Sequence, residues 1–223
     1  MMQPVVIYED NHLLVINKPA GLTTQGAAPG EPSVVEWARD YLKHRYDKPG
    51  NVYIGVVSRL DRDVSGVLLL ARTSKAAARL NDQFRERTVE KTYWAVIEGR
   101  PPSTFECEDW LAPDPAGARM QVLDRDTAGA QSARLSGRLL AEVAGGRLVE
   151  LNLETGRKHQ IRVQLASRGW NVVGDRKYGG TRKFAAGIAL HCRRLSATHP
   201  TRGDRLTFEA PPPKAWRELG VDR

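Results

Sequence analysis

The longest uninterrupted aliphatic run in this chain is VLLLA at 67–71, yet short runs of this kind return along nearly the whole length with turn residues between them. A chain so patterned can bury its apolar groups only by pairing many short strands. VVIYE and HLLVINK flank Asp10-Asn11 and read as a hairpin. Further strands are expected around 52–57 and 66–71, and at KTYWAVIEG. SARLSGRLLAEV and RLVELNLE are separated by Gly145-Gly146, and in the second Val149, Leu151 and Leu153 alternate with Glu150, Asn152 and Glu154, the period of a half-buried antiparallel strand. IALHCRRLSA and DRLTFEA close the chain around Gly203-Asp204.

Helical spacing is rarer. Ser33 and Glu36 form the S-x-x-E capping pattern, with Val34, Trp37, Ala38, Tyr41 and Leu42 on one face of a helix that ends before Pro49. SKAAARLNDQFRER repeats Ala77, Leu80 and Phe84 at helical spacing, and RKHQIRVQLASRG brings Ile161 and Leu165 together one turn apart, with Gly169 placed to end it. Strands that neighbour in sequence and few helices define an α+β chain with a mixed, mostly antiparallel sheet and flanking helices. Its 223 residues carry no repeat, low-complexity run or linker, so a single domain over 1–223 is expected.

No run approaches the roughly 20 apolar residues of a membrane helix, and MMQPVVIYEDN lacks the basic start and apolar stretch of a signal peptide. A cytoplasmic protein with no membrane association follows as the expectation. Cys107 and Cys192 stand far apart with no C-x-x-C pair, which suggests neither a disulfide framework nor a metal site. They read as two buried thiols.

Charge is distributed unevenly. The net charge is +8, and between Arg157 and Arg205 twelve basic residues face only Asp175 and Asp204. Interleaved with them are Trp170, Tyr178, Phe184 and His191, a mixture that favours a polyanion such as nucleic acid. A second anomaly is SRLDRDVSG at 58–66, which sets Arg59, Asp61, Arg62 and Asp63 between two strand-like runs. Alone, such a stretch reads as a solvated turn. The chain has no G-x-x-x-x-G-K-[ST], H-E-x-x-H or G-x-S-x-G pattern, so phosphate-loop, zinc-protease and serine-hydrolase chemistry lose their usual support. Carboxylate chemistry beside a basic, aromatic-containing surface is what these residues offer.

Six blocks, NKPAGL (17–22), SRLDRDVSGVLLLART (58–73), EKTYWAVIEG (90–99), TGRKHQIRVQLA (155–166), GDRKYG (174–179) and IALHCRRLSATHP (188–200), run in one order along nearly the whole chain. In that order and approximate spacing the sequence resembles the RluA-type RNA pseudouridine synthases. The resemblance implies an isomerase that converts uridine in tRNA or rRNA to its C-glycoside, without metal or organic cofactor and without an obligate protein partner. It also implies an RNA-binding cleft across the sheet. Many relatives carry a small added RNA-binding domain; here the pattern begins almost at residue 1, so the catalytic domain alone is expected to select the RNA.

Carried over residue by residue, the resemblance makes Asp61 the catalytic carboxylate. A carboxylate can add to an electrophilic carbon or remove a proton without a metal, and both attack at C1′ and proton removal at C2′ stay open. Arg162 would pair with Asp61, since a guanidinium within hydrogen-bonding distance orients a carboxylate. Tyr93 would lie against the extracted uracil, with Trp94 turned to the interior by strand alternation. Arg59 would enter the RNA where the uridine leaves, sharing a face of the extended chain with Asp61 while Leu60 turns inward. Arg59, Arg62, Lys18, Arg157, Lys158 and Lys177 are the candidate RNA contacts. Two positions depart from the family pattern: Ser58 stands for the usual His and Val64 for the usual Thr, which puts an RNA contact and a hydrogen bond in the Asp61 turn in question. The basic surface also fits a catalytically inactive RNA-binding protein or chaperone. A glycosidase would need a second acid across from Asp61, and Asp63 is too close in sequence to supply it.

Overall fold

The computed structural model describes residues 3–28, 30–117 and 119–222. The chain divides into two compact units: the first runs to Val89 and takes back Cys192–Pro211, and the second comprises Glu90–His191 and the stretch from Pro212 onward.

In the first unit, β1 (Val5–Glu9) and β2 (Leu13–Lys18) form the expected hairpin. Asp10 makes the turn, because its Oδ1 accepts from the N–H groups of His12 and Leu13, both at 2.8 Å. Burial alone would raise the Asp10 pKa, but hydrogen bonds from the His12 N–H, the Tyr8 hydroxyl, the Leu13 N–H and His199 outweigh it and hold the carboxyl well below its usual range. Helix α1 (Val34–Arg45) begins with the capping box read from the sequence: Ser33 Oγ accepts from the Glu36 N–H at 3.2 Å, and Glu36 Oε2 from the Ser33 N–H at 2.8 Å. Its buried stripe is narrower than expected. Val34, Ala38 and Leu42 are buried, while Trp37 and Tyr41 stack on each other at 5.2 Å, each half-buried.

The strand expected at 52–57 reduces to β3 (Gly55–Val56), which pairs with the end of β4 (Ser65–Ala71). β4 pairs antiparallel with β2 and is buried at all seven positions. A strand covered on both faces has no polar side to show, hence the continuous VLLLA. Helix α2 (Ser74–Arg85), capped by Thr73 Oγ1 on the Ala76 N–H, buries Ala76, Ala77 and Leu80.

The second unit is an antiparallel sheet of β5 (Glu90–Ile97), β6 (Thr104–Pro113), β7 (Met120–Leu123), β8 (Gln131–Val143) and β9 (Gly146–Leu153), in the order β5-β9-β8-β6-β7. The β8–β9 turn needs glycine, since Gly146 has φ +144° and a Cβ there would stand 2.3 Å from the Ile97 carbonyl oxygen. Val149 and Leu151 of β9 are fully buried and Asn152 is exposed, as the alternation requires. Helix α3 (Gln160–Ala166) packs Val163 against Leu111, Met120 and Ala133 of β6, β7 and β8.

The chain then returns to the first unit. β10 (Leu190–Thr198) lies beside β4 and pairs antiparallel with β11 (Arg205–Glu209). Gln83 of α2 docks on this strand by exchanging two hydrogen bonds with the backbone of Thr198, at 2.8 and 2.9 Å. Many short strands and, among the described residues, three α-helices make the chain α+β, as its patterning implied. No helix among the described residues is long and apolar enough to cross a membrane.

Candidate active site

The segment between β3 and β4 leaves the ladder at residue 57, and its side chains divide by position. Leu60 is 7% exposed, while Arg59 is exposed and Asp61 half-buried. Alternation of an extended chain therefore places Arg59 and Asp61 together, away from the core that Leu60 enters. Three contacts fix this backbone. Thr24 Oγ1 donates to the Leu60 carbonyl at 2.8 Å and accepts its N–H at 3.3 Å. The Gly21 N–H reaches the Arg62 carbonyl at 2.8 Å, and the Val64 N–H closes a turn on the Asp61 carbonyl at 3.1 Å. Gly66, one residue into β4, has φ +118°, and a Cβ there would stand 2.3 Å from the Cys192 carbonyl oxygen, so only glycine lets β10 approach this closely.

Lys18 is corrected by this geometry. It is fully buried rather than available to a phosphate, and its Nζ donates to the carbonyls of Pro19 at 2.9 Å, Leu22 at 2.7 Å and Arg62 at 3.0 Å. Burial drives its pKa down towards about 7, and the fields of Asp63 and Asp61 oppose the shift. Three carbonyls need three N–H donors, which only the ammonium form has. Lys18 thus ties the 19–22 loop to the Asp61 turn. Lys18→Met is expected to leave those carbonyls unsatisfied and to lower unfolding free energy by roughly 2–3 kcal/mol, read as a fall in melting temperature; an unchanged melting curve would show that the loop repacks without it.

The two departures from the family pattern are accommodated locally. Ser58 Oγ donates to the Leu69 carbonyl at 3.3 Å. Val64 is buried, 3% exposed, and its backbone N–H supplies the turn-closing bond to Asp61.

In the second unit, Tyr93 and Trp94 of β5 do point to opposite faces, but with burial reversed from the expectation. Tyr93 is the buried ring, 7% exposed. Trp94 is half-buried, and its indole N–H donates to Glu150 Oε2 at 3.1 Å across the β5–β9 ladder, on the side where Arg138 also binds Glu150. An indole needs a partner for its N–H, and the cross-strand carboxylate provides one.

Arg162 lies on α3 with 5% exposure, not on a solvated helix face. Its Nε and Nη2 meet the two oxygens of Asp175 at 2.6 and 2.8 Å, and its Cζ lies 5.0 Å from the centre of the Tyr178 ring. Tyr178 is held in turn, since its hydroxyl accepts the Met120 N–H at 2.8 Å and meets His159 Nδ1 at 2.8 Å. The guanidinium plane is therefore set by a carboxylate at its edge and an aromatic ring at its face. Asp175, which holds Arg162, is the residue that sequence reasoning missed. The available signal was its rarity: one of only two acids within a long basic stretch has every reason to be paired.

The loop before α3 is equally constrained. The Gln160 side chain accepts from Thr155 Oγ1 at 2.8 Å and from the Arg157 N–H at 3.0 Å, and donates to the Arg134 carbonyl at 3.0 Å. Of the candidate RNA contacts on this side, Lys158 is exposed, while Arg157 and Lys177 are half-buried. Arg157 Nε also donates to the Ser132 carbonyl at 3.0 Å. Arg62, in the first unit, is exposed with a long 3.4 Å bond to the Gly21 carbonyl. Both cysteines are buried, and burial pushes the Cys107 thiol up to about 11.

Comparison with known proteins places these residues in context. A family model described as RNA pseudouridylate synthase matches residues 12–167. An uncharacterized RNA pseudouridine synthase, YhcT of Bacillus subtilis (strain 168), is 36% identical over 219 residues, covering 96% of this chain and 70% of its own length. The ribosomal large subunit pseudouridine synthase D of Zymomonas mobilis is 32% identical over 227 residues, covering 96% and 71%. Among solved structures, human RNA pseudouridylate synthase domain containing 4 superposes with a TM-score of 0.78 at 24% identity, over 98% of this chain and 94% of that one. That last likeness speaks to the fold alone.

Proposed function

This chain belongs to the RluA-type RNA pseudouridine synthases, and on that premise we propose that Asp61 is its reacting carboxylate, working with Tyr93 and Arg162 on one uridine of ribosomal or transfer RNA. The observation that carries the assignment is the clamped segment 59–61, where Leu60 is sunk in the core and Thr24 and Lys18 fix the backbone on either side of the Asp61 carboxylate. A reacting group needs this kind of rigid support from its neighbours.

The reaction cuts the bond from uracil N1 to ribose C1′, turns the base, and joins C5 to C1′ with loss of the C5 proton. Asp61 starts it, by adding to C1′ or by taking the C2′ proton; either step needs the ionised form. Tyr93 faces the freed uracil, replacing part of the stacking lost when the base leaves the RNA, and its hydroxyl serves the C5 proton transfer. Arg162, oriented by Asp175, acts on Asp61. The names of several relatives refer to the ribosomal large subunit, which supports rRNA as the first substrate to examine.

The direct test is tritium release from uridine labelled at C5 in total RNA from cells lacking the gene, with nucleotide-resolution mapping of the pseudouridine that disappears in those cells. Release accompanied by loss of a defined site is expected. Salt-sensitive RNA binding with no release from any RNA would instead establish a binding protein.

A further inference from the structure

A groove in the first unit, about 690 Å³ in volume, is bordered by Gln25, Arg39, Tyr53, Gly55 and Arg59, with no acidic residue on its lining. Its size falls in the range of about 300–1,000 Å³ typical of small-ligand sites. Tyr53 is 48% exposed, one of three large hydrophobic side chains left so open among the described residues. The ring is nonetheless positioned. A Cβ on Gly55 would stand 3.0 Å from the Tyr53 hydroxyl oxygen and 3.2 Å from its Cε1, so the ring edge lies over bare glycine backbone while much of its surface faces solvent. Arg39, on the exposed side of α1, and Arg59 bring two guanidinium groups to the same groove. Among the described residues neither is paired with a carboxylate.

An open aromatic ring between two cations fits a nucleobase with its phosphate. Arg59 and Asp61 are separated by two residues of extended chain, roughly 7 Å, and share a side, so the groove opens next to the carboxylate. When a uridine leaves its stack, the nucleotide beside it loses a stacking face. We propose that this groove holds the nucleotide adjacent to the isomerised uridine, with its base on Tyr53, its phosphate between Arg39 and Arg59, and Gln25 hydrogen-bonded to the base edge. This makes the groove a determinant of sequence context, and it rests on the assignment of Asp61 given above.

The test uses a short transcript carrying the uridine found by the mapping above, intact or with an abasic nucleotide one position before or after it. Removing the base at one of these two positions is expected to lower kcat/KM about tenfold to a hundredfold with the native protein. Tyr53→Ala lowers it similarly on the intact transcript, and the two changes together lose no more than either alone. Tyr53→Phe, which keeps the ring, restores the native value. Arg39→Ala reduces the slope of log affinity against log salt by about one. If Tyr53→Ala turns over the intact transcript as the native protein does, or if its loss adds fully to that of both abasic changes, the groove is not the site, while the reading of Asp61 stands. If the native protein isomerises no RNA, both fall.

Discussion

Asp61→Asn is expected to lower tritium release from C5-labelled RNA by at least about 10⁴-fold, with RNA affinity largely unchanged. Asparagine keeps the shape of the side chain but can neither add to C1′ as a carboxylate does nor take the C2′ proton. Affinity survives because RNA binding is dominated by phosphate contacts, and a carboxylate contributes none of these. The backbone that carries residue 61 is held by bonds from Thr24, Lys18 and the Val64 N–H, which the change leaves in place. The measurement is single-turnover release alongside filter binding at one fixed salt concentration. Near-native release would remove Asp61 from the chemistry, and a parallel loss of binding would make it a structural residue.

Asp175→Ala is expected to lower unfolding free energy by about 3–5 kcal/mol, since it leaves the Arg162 guanidinium buried without its bidentate partner. Arg162 and Asp175 are exposed by only 6% and 1% at their side chains, so water cannot replace the lost carboxylate. For a chain of this size the melting temperature should fall by roughly 6–20 °C. Asp175→Asn separates positioning from stability. An amide can still accept at Oδ1, but it no longer holds both N–H groups of the fork as a carboxylate does. Assayed below its melting transition, Asp175→Asn is expected to lose kcat with little change in KM, because Arg162 stays present but loses its fixed plane. A melting curve equal to that of the unaltered protein would show that the pair is not the anchor its burial indicates, and an unchanged kcat would end the positioning role.

Strand by strand, the patterns that were legible are those in which the environment repeats along the chain. The β1–β2 hairpin follows from apolar runs around Asp10, whose carboxylate makes the turn; the capping box of α1 is local to Ser33 and Glu36. β6 was not expected, although Phe105 and Cys107 alternate with exposed Thr104, Glu106 and Glu108, because the period breaks where Leu111 and Ala112 are both buried. β7, with four residues, is too short to announce itself. Of the strand expected at 52–57 only Gly55 and Val56 pair with β4, and Tyr53 before them is exposed.

At the site the same division holds. Neighbouring residues were enough to place Arg59 and Asp61 on one side of Leu60, since alternation is a property of the backbone, and to set Tyr93 and Trp94 on opposite faces of β5. Which of those two rings is buried was decided by β9, where Glu150 stands opposite Trp94 and takes its N–H. Lys18 read as a surface cation until the fold brought the Arg62 carbonyl, 44 residues away in sequence, onto its ammonium. Asp175 became the holder of Arg162 only through packing that sinks both beneath the surface. The sequence by itself determined the α+β class and the family and named the candidates for the site, because local periodicity and motif order are written in neighbouring residues. The tertiary structure alone decided which charges are buried and what each of them holds, because desolvation and hydrogen-bond partners depend on chain segments that meet only when the protein folds.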